Sequence, residues 1–234
     1  MSRLFRNTFL LLFPIAVFAQ KTDTVKHPVD TIKNKFAPTG IRFGTDLISI
    51  AKSQYVKSFT GWEANAEIDF YRYYLAIDYG TWGRTYFHKP DSAGASSSQY
   101  ANSGNYYRVG VDVNFLKKDP DKNVFFIGFR YGHSKFKEDF SGIEIDPFTQ
   151  NPVNLAYQNP NVKAHWLELT SGLRVKMWKF IWMGYTARFK FALKYSNTDE
   201  LIPSDVPGYG RTDRQIYWGF NYQIFFRVPV RKVR

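Results

Sequence analysis

Tyr107-Arg108-Val109-Gly110-Val111-Asp112-Val113-Asn114-Phe115-Leu116 leads through the polar Lys117-Lys118-Asp119-Pro120-Asp121-Lys122-Asn123 into Val124-Phe125-Phe126-Ile127-Gly128-Phe129-Arg130-Tyr131-Gly132-His133. Tyr107, Val109, Val111, Val113 and Phe115 share one face, while Arg108, Gly110, Asp112 and Asn114 share the other. After the turn, Phe125, Ile127, Phe129 and Tyr131 oppose Phe126, Gly128, Arg130 and Gly132. Side chains of a strand alternate between faces, so this segment predicts a hairpin with one oily face and one charged face.

A soluble sandwich would bury the oily face, and the hairpin alone does not choose between the two settings. The remaining chain repeats the pattern, shows almost no helical period, and starts like an exported protein. The fold expected is all-β: a transmembrane eight-stranded antiparallel up-and-down β-barrel with apolar faces toward lipid.

Residues 1–19 read as a signal peptide. Arg3 and Arg6 form a basic start, Phe9 to Phe18 is apolar, and Ala16-Val17-Phe18-Ala19 precedes Gln20. That apolar run is too short to span a bilayer, and no other stretch approaches about 20 apolar residues. Residues 20–38, polar and with two prolines, read as a flexible periplasmic segment, and residues 39–234 as the barrel with a short basic tail. The net charge of +12 would suit a nucleic-acid partner, but an exported chain meets lipid phosphates and acidic partners instead. The chain lacks Cys, which removes a lipoprotein anchor, disulfides and thiolate sites. Aromatic residues make up 19%, a content that girdles of Trp and Tyr at two membrane interfaces would use.

The strands expected are about 40–51, 62–70, 73–87, 107–115, 124–133, 163–177, 180–195 and 215–228. In the second, Trp62, Ala64, Ala66, Ile68 and Phe70 oppose Glu63, Asn65, Glu67 and Asp69, and such a face cannot rest in lipid. Connections near 52–61, 88–105, 137–162 and 196–213 are longer than those at 71–72, 117–123 and 178–179. Short turns at one end and long loops at the other place both termini in the periplasm.

The phasing sends Arg42, Asp46, Glu63, Glu67, Asp69, Asp78, Arg84, Arg108, Asp112, Arg130, Glu168, Arg174, Lys176, Arg188, Lys190, Lys194 and Arg227 inward, with glycines among them. An eight-stranded barrel is just wide enough for side chains to fill, so a packed network of ion pairs is expected rather than a pore. His133-Ser134 and His165, near the outer rim, form the one candidate catalytic group, set against the plainer reading of rim residues in an aromatic belt. Glu138, Asp139, Glu144 and Asp146 have the oxygen ligands that Ca²⁺ takes, but lie in no loop of suitable register and read as a solvated acidic loop, with room for a short hairpin extension around Ile143-Glu144-Ile145. No metal site or cofactor is expected: phosphate-binding glycine loops, HExxH and GxSxG are absent.

Phe18-Ala19-Gln20, Gly44-Thr45-Asp46-Leu47-Ile48-Ser49 and Glu67-Ile68-Asp69-Phe70 through Tyr74-Leu75-Ala76-Ile77-Asp78-Tyr79-Gly80 carry a resemblance. The chain resembles an uncharacterised family of small Bacteroidota outer-membrane barrels, and in plan the OmpA and OmpX barrels, without the peptidoglycan-binding domain of the former. The resemblance implies an outer-membrane location with lipids and lipopolysaccharide as surroundings and other outer-membrane proteins as partners. By analogy of fold it also implies an accessory, non-enzymatic role in barrel assembly or secretion. A lipid-modifying enzyme at the outer rim and a narrow solute channel are the alternatives.

Overall fold

Alternation at period two carries through eight strands that close into a ring. The computed structural model describes residues 37–230 apart from 89–96, 117–118, 147, 150 and 199–200; the expected signal peptide and most of the segment after it lie outside the described residues. The elements are β1 (Gly40–Asp46), α1 (Leu47–Tyr55), β2 (Phe59–Phe70), β3 (Tyr73–His88), β4 (Ser97–Asn114) and β5 (Val124–Ile145). β6 (Pro152–Trp178), β7 (Ile181–Ser196), the two-residue strands β8 (Asp205–Val206) and β9 (Gly210–Arg211), and β10 (Tyr217–Pro229) follow. Eight antiparallel strands close as β1-β10-β7-β6-β5-β4-β3-β2, with β8 and β9 forming a separate small hairpin. β1 pairs with β10 from Gly40↔Pro229 to Asp46↔Gln223 and completes the ring.

Inward positions are buried and mostly polar; outward ones are apolar and open. Ile77, Val109, Val111, Ile127, Phe129, Leu169 and Phe220 are all exposed, a continuous patch that a water-soluble barrel would not present. Aromatic residues bracket it, with the Trp62–Tyr79 ring pair toward one end and Phe115–Phe125 toward the other. The belt is the lipid-facing wall of a transmembrane barrel, where closure satisfies every backbone group that lipid cannot.

Four expectations are corrected. The first strand stops at Asp46 rather than near residue 51. The Asp46 carboxylate accepts from the Ile48 and Ser49 amides at 3.3 and 3.1 Å and from Ser49 Oγ at 2.6 Å, the geometry of a helix N-cap, so the chain turns into α1. β4 begins at Ser97, and most of the region taken as a third outer loop is strand: β5 continues to Ile145, β6 starts at Pro152, and they pair to Ile145↔Pro152. Pro152 and Pro160 sit where a ladder tolerates them, Pro152 at a strand start and Pro160 in the register shift between Phe136↔Val162 and Glu138↔Asn159. The outer connection thereby shrinks to residues 146–151.

Near the outer end of β7 the faces exchange. Ala192 adopts φ 54°, and the β6–β7 register shifts between Leu167↔Phe191 and His165↔Lys194. This extra residue reverses the alternation beyond it. Leu193 therefore packs inward against the cluster of Tyr106, Phe136, Val162, Trp166 and Tyr209, and Lys194, expected inside, is exposed outside.

Candidate functional site

The barrel interior is a layered ion-pair network. Asp78 of β3 is at its centre, bonded by Arg130 Nη1 and by Arg188 Nη2 at 3.0 Å, with Arg108 Nη1 at 3.7 Å and the Asn65 amide at 2.7 Å. Glu63 accepts from Arg108 at 2.8 Å and from the Tyr106 hydroxyl at 2.7 Å. Glu168 accepts from Arg188 at 2.9 Å and from Trp166 Nε1 at 2.7 Å, with Arg108 Nε 3.0 Å away. Below this layer, Asp112 receives Arg130 at 2.8 Å and Arg174 at 3.2 Å, and Arg174 also meets Glu67 at 2.5 Å. All of these charged side chains are at most 3% exposed, so each depends on its partners for the solvation it has lost.

Toward the inner rim the network thins. Arg42 lies over the Tyr74 ring at 4.9 Å, donates to the Lys122 carbonyl at 3.1 Å, and stands 3.8 Å from Glu67. Arg227 pairs with Asp69 at 3.1 Å. Lys176, expected inside, sits at the rim, about a third exposed, and pairs with Asp121 at 2.9 Å. Asp46 is inward and buried, yet it belongs to no ion pair among the described residues: it caps α1 and accepts the Tyr222 amide of β10 at 3.1 Å.

At the outer end, residues 205–210 turn back into the barrel mouth and are buried without a break. Pro207-Gly208 makes the turn, with Gly208 at φ 81° and the Tyr209 amide bonded to the Val206 carbonyl at 3.0 Å. Lys190 Nζ donates to the Gly208 and Tyr209 carbonyls at 2.7 and 2.9 Å, and Arg108 reaches the Gly208 carbonyl at 3.1 Å. The interior cations thus hold the backbone of the plug. Around it, Arg84 and the Tyr86 hydroxyl bond Asp205 at 3.2 and 3.1 Å, Asn102 donates to the Asp205 carbonyl at 2.5 Å, and Glu138 accepts from Tyr100 and Asn159 at 2.7 and 2.8 Å. Arg84 accordingly belongs to the mouth. Burial pushes the carboxyls of Asp205 and Glu138 above their ordinary range, opposed by Arg84 at the former and by the Tyr100 and Asn159 hydrogen bonds at the latter.

Close packing explains the inward glycines. A Cβ on Gly132 would run into the Trp166 indole, and one on Gly128 into the Asp112 carboxylate. Trp166 and the plug were not anticipated, although both had signals: Trp166 falls on the same alternation as Glu168, and Pro207-Gly208 is a turn pair between Val206 and Tyr209.

The catalytic candidates do not come together. His133 and His165 are directly opposite across β5 and β6 on the outer surface, with rings stacked at 5.5 Å and Nδ1 atoms 3.3 Å apart. Ser134, next in sequence, points to the other face, is buried, and donates to the Asn105 carbonyl at 3.2 Å. Neighbouring strand residues face opposite ways, so the barrel wall separates hydroxyl from imidazoles. The four acidic residues 138, 139, 144 and 146 do not converge either, and no group of three or more potential metal ligands occurs among the described residues. Asp146 instead accepts from the Phe148 and Thr149 amides, which hold its carboxyl below the usual range.

The family model for a domain of unknown function, DUF6048, matches residues 1–233. No curated protein matches. Solved structures similar to this chain include two crystal structures from Acinetobacter baumannii. CarO2 is 12% identical, with 83% of this chain and 100% of that one covered and a TM-score of 0.45; CarO is 9% identical, with 84% and 99% covered and a TM-score of 0.41.

Proposed function

The chain belongs to the DUF6048 family, and because that family's function is unknown we propose a role from the geometry of the barrel itself: a closed, non-enzymatic outer-membrane barrel that acts through protein contacts, as an accessory subunit of a larger outer-membrane assembly. The observation that carries this reading is the double occlusion of the interior, by the network around Asp78 and by the plug of residues 205–210 held on Lys190 and Arg108. A transport path would have to break ion pairs whose members cannot be resolvated, at a cost of several kcal/mol each. In this reading the barrel sits in the outer membrane with both termini periplasmic; the closed antiparallel wall and strands that are tall at one end only support it.

What remains available for function is the outside. The β5–β6 hairpin rises beyond the lipid belt, and Ile143, Phe148, Val153 and Tyr157 are exposed along it, apolar residues in a polar setting and suited to protein contact. The reading of a rim lipid-modifying enzyme loses its nucleophile with Ser134 on the inner face.

Two measurements test the proposal. Planar-bilayer recording of the purified protein is expected to show no steady conductance, and large stable channels would overturn the closed barrel. Mild extraction from native membranes with mass-spectrometric identification is expected to recover a stoichiometric partner that is lost when Phe148 and Tyr157 are changed to serine. A lone monomeric barrel would overturn the accessory role.

A further inference from the structure

Above the lipid belt, the outer wall of β5, β6 and β7 carries three lysines with no counter-charge, set around a pair of histidines. Lys135 is directly opposite Lys163, His133 is opposite His165, and Lys194 is opposite His165 from the other side. All three lysines are exposed, and none makes an ion pair among the described residues. Their cross-strand neighbours on the same face are neutral: Asn105 beside Lys135, Tyr107 beside His133, and Ser196 beside Lys163. Like charges directly opposite on a sheet destabilise it, and the β7 bulge at Ala192 is what brings Lys194 to this face.

Below the cluster, on the same strands, the wall is indented. The small side chains of Ser171 and Ala187, paired across β6 and β7, floor a groove of about 400 Å³ walled by Ile127, Leu169, Phe189 and Trp218. Leu169 is four residues down β6 from His165, about 13 Å along a strand rising ~3.3 Å per residue. With a tilt of roughly 40° that is about 10 Å of depth, within the upper half of an apolar band about 25 Å tall. An apolar groove below an uncompensated basic patch matches one amphiphile: an anionic head above, an acyl chain beneath.

We propose that this face is a binding site for a membrane lipid whose phosphate-bearing headgroup carries net negative charge, the phosphate held by Lys135, Lys163 and Lys194 beside the His133–His165 pair, and one acyl chain laid in the groove over Ser171 and Ala187. The proposal rests on the membrane-barrel reading and adds a specific ligand to it. The lipid would supply the negative charge the sheet lacks, and the bound headgroup would stand beside the base of the β5–β6 hairpin.

The test uses the full chain in mixed vesicles of phosphatidylglycerol and phosphatidylcholine, followed by native mass spectrometry of retained lipid. Flotation with the vesicles reads out the barrel itself. At equal mole fractions the protein is expected to retain phosphatidylglycerol roughly tenfold over phosphatidylcholine, a difference of about 1.4 kcal/mol. The triple variant Lys135→Gln, Lys163→Gln, Lys194→Gln is expected to float normally and lose the preference. Ala187→Phe, which fills the groove, is expected to lower retention of both lipids while leaving the preference intact. A protein that floats and shows no preference, or a triple variant that keeps it, would overturn the site alone. Unchanged retention by Ala187→Phe would overturn the acyl-chain groove, and a protein that does not float would overturn the membrane reading and the site with it.

Discussion

Arg188 and Asp78 are 110 residues apart in sequence and 3.0 Å apart in space. Their strands, β7 and β3, are on opposite sides of the ring, so one guanidinium spans the lumen and makes the barrel solid. The carboxylate it reaches also receives Arg130 and neighbours Arg108. Removing a partner from such a buried set leaves charges that nothing else can solvate.

Asp78→Ala is therefore expected to destabilise the barrel by about 3–5 kcal/mol. Asp78→Asn, which keeps the shape and one acceptor oxygen, is expected to cost less. Thermal unfolding in detergent, followed by circular dichroism, gives the comparison; equal stability of all three proteins would show that the network is not a structural plug.

Gly132→Ala is expected to cost about 1–3 kcal/mol, the usual range for overpacking. The added Cβ meets the Trp166 indole, which is bonded to Glu168 and packed against Tyr209. Trp166 cannot leave without breaking the layer below the plug. A red shift in tryptophan emission together with a lower melting temperature is the expected readout, and an unchanged spectrum would contradict the packing described.

Acid is expected to tighten the mouth. Burial raises the folded-state pKa of Glu138 and Asp205 above the unfolded values, so between those limits the folded protein binds more protons and stability falls as pH rises. Amide exchange at Val206 and Tyr209, corrected for the intrinsic rate, is expected to be slower near pH 5 than near pH 7. Glu138→Gln with Asp205→Asn is expected to flatten that dependence. The opposite slope in the unmodified protein would mean that the Arg84 pair dominates.

Asp46→Ala is expected to release α1. It removes the cap, worth about 1 kcal/mol, and orphans the Tyr222 amide of β10. Limited proteolysis is expected to cut within Leu47–Tyr55 while the rest of the barrel resists; equal resistance of variant and parent would separate the helix from the cap.

The fold was legible because lipid and a charged interior write opposite demands on alternate residues: Trp62 to Phe70 could be phased from sequence alone, and Glu63, Glu67 and Asp69 lie where that phase puts them. Errors arose where something local outweighs the period. Ala192 inserts a bulge, so Leu193 and Lys194 exchange faces. Asp46 satisfies helical amides, so the strand expected to run to about residue 51 gives way to α1 at Leu47. Most of 137–162, expected as a connection, is strand, because a strand start and a bulge admit Pro152 and Pro160. The mouth was harder to read. Burial of Val206 and Tyr209 depends on Lys190 and Arg108, whose distance from them along the chain hides the contact.

The early stop of β1 also decides where the ring yields. β1 has seven residues, whereas β5 and β6 have 22 and 27, and it is the strand that must find β10 from the far end of the chain. The hairpins from β3 to β6 join neighbours in sequence and assemble at small loop-closure cost, whereas the β1–β10 junction closes the longest loop. The barrel is thus a curled sheet with a short clasp, and that seam is expected to zip last in folding and to part first on heating or pulling.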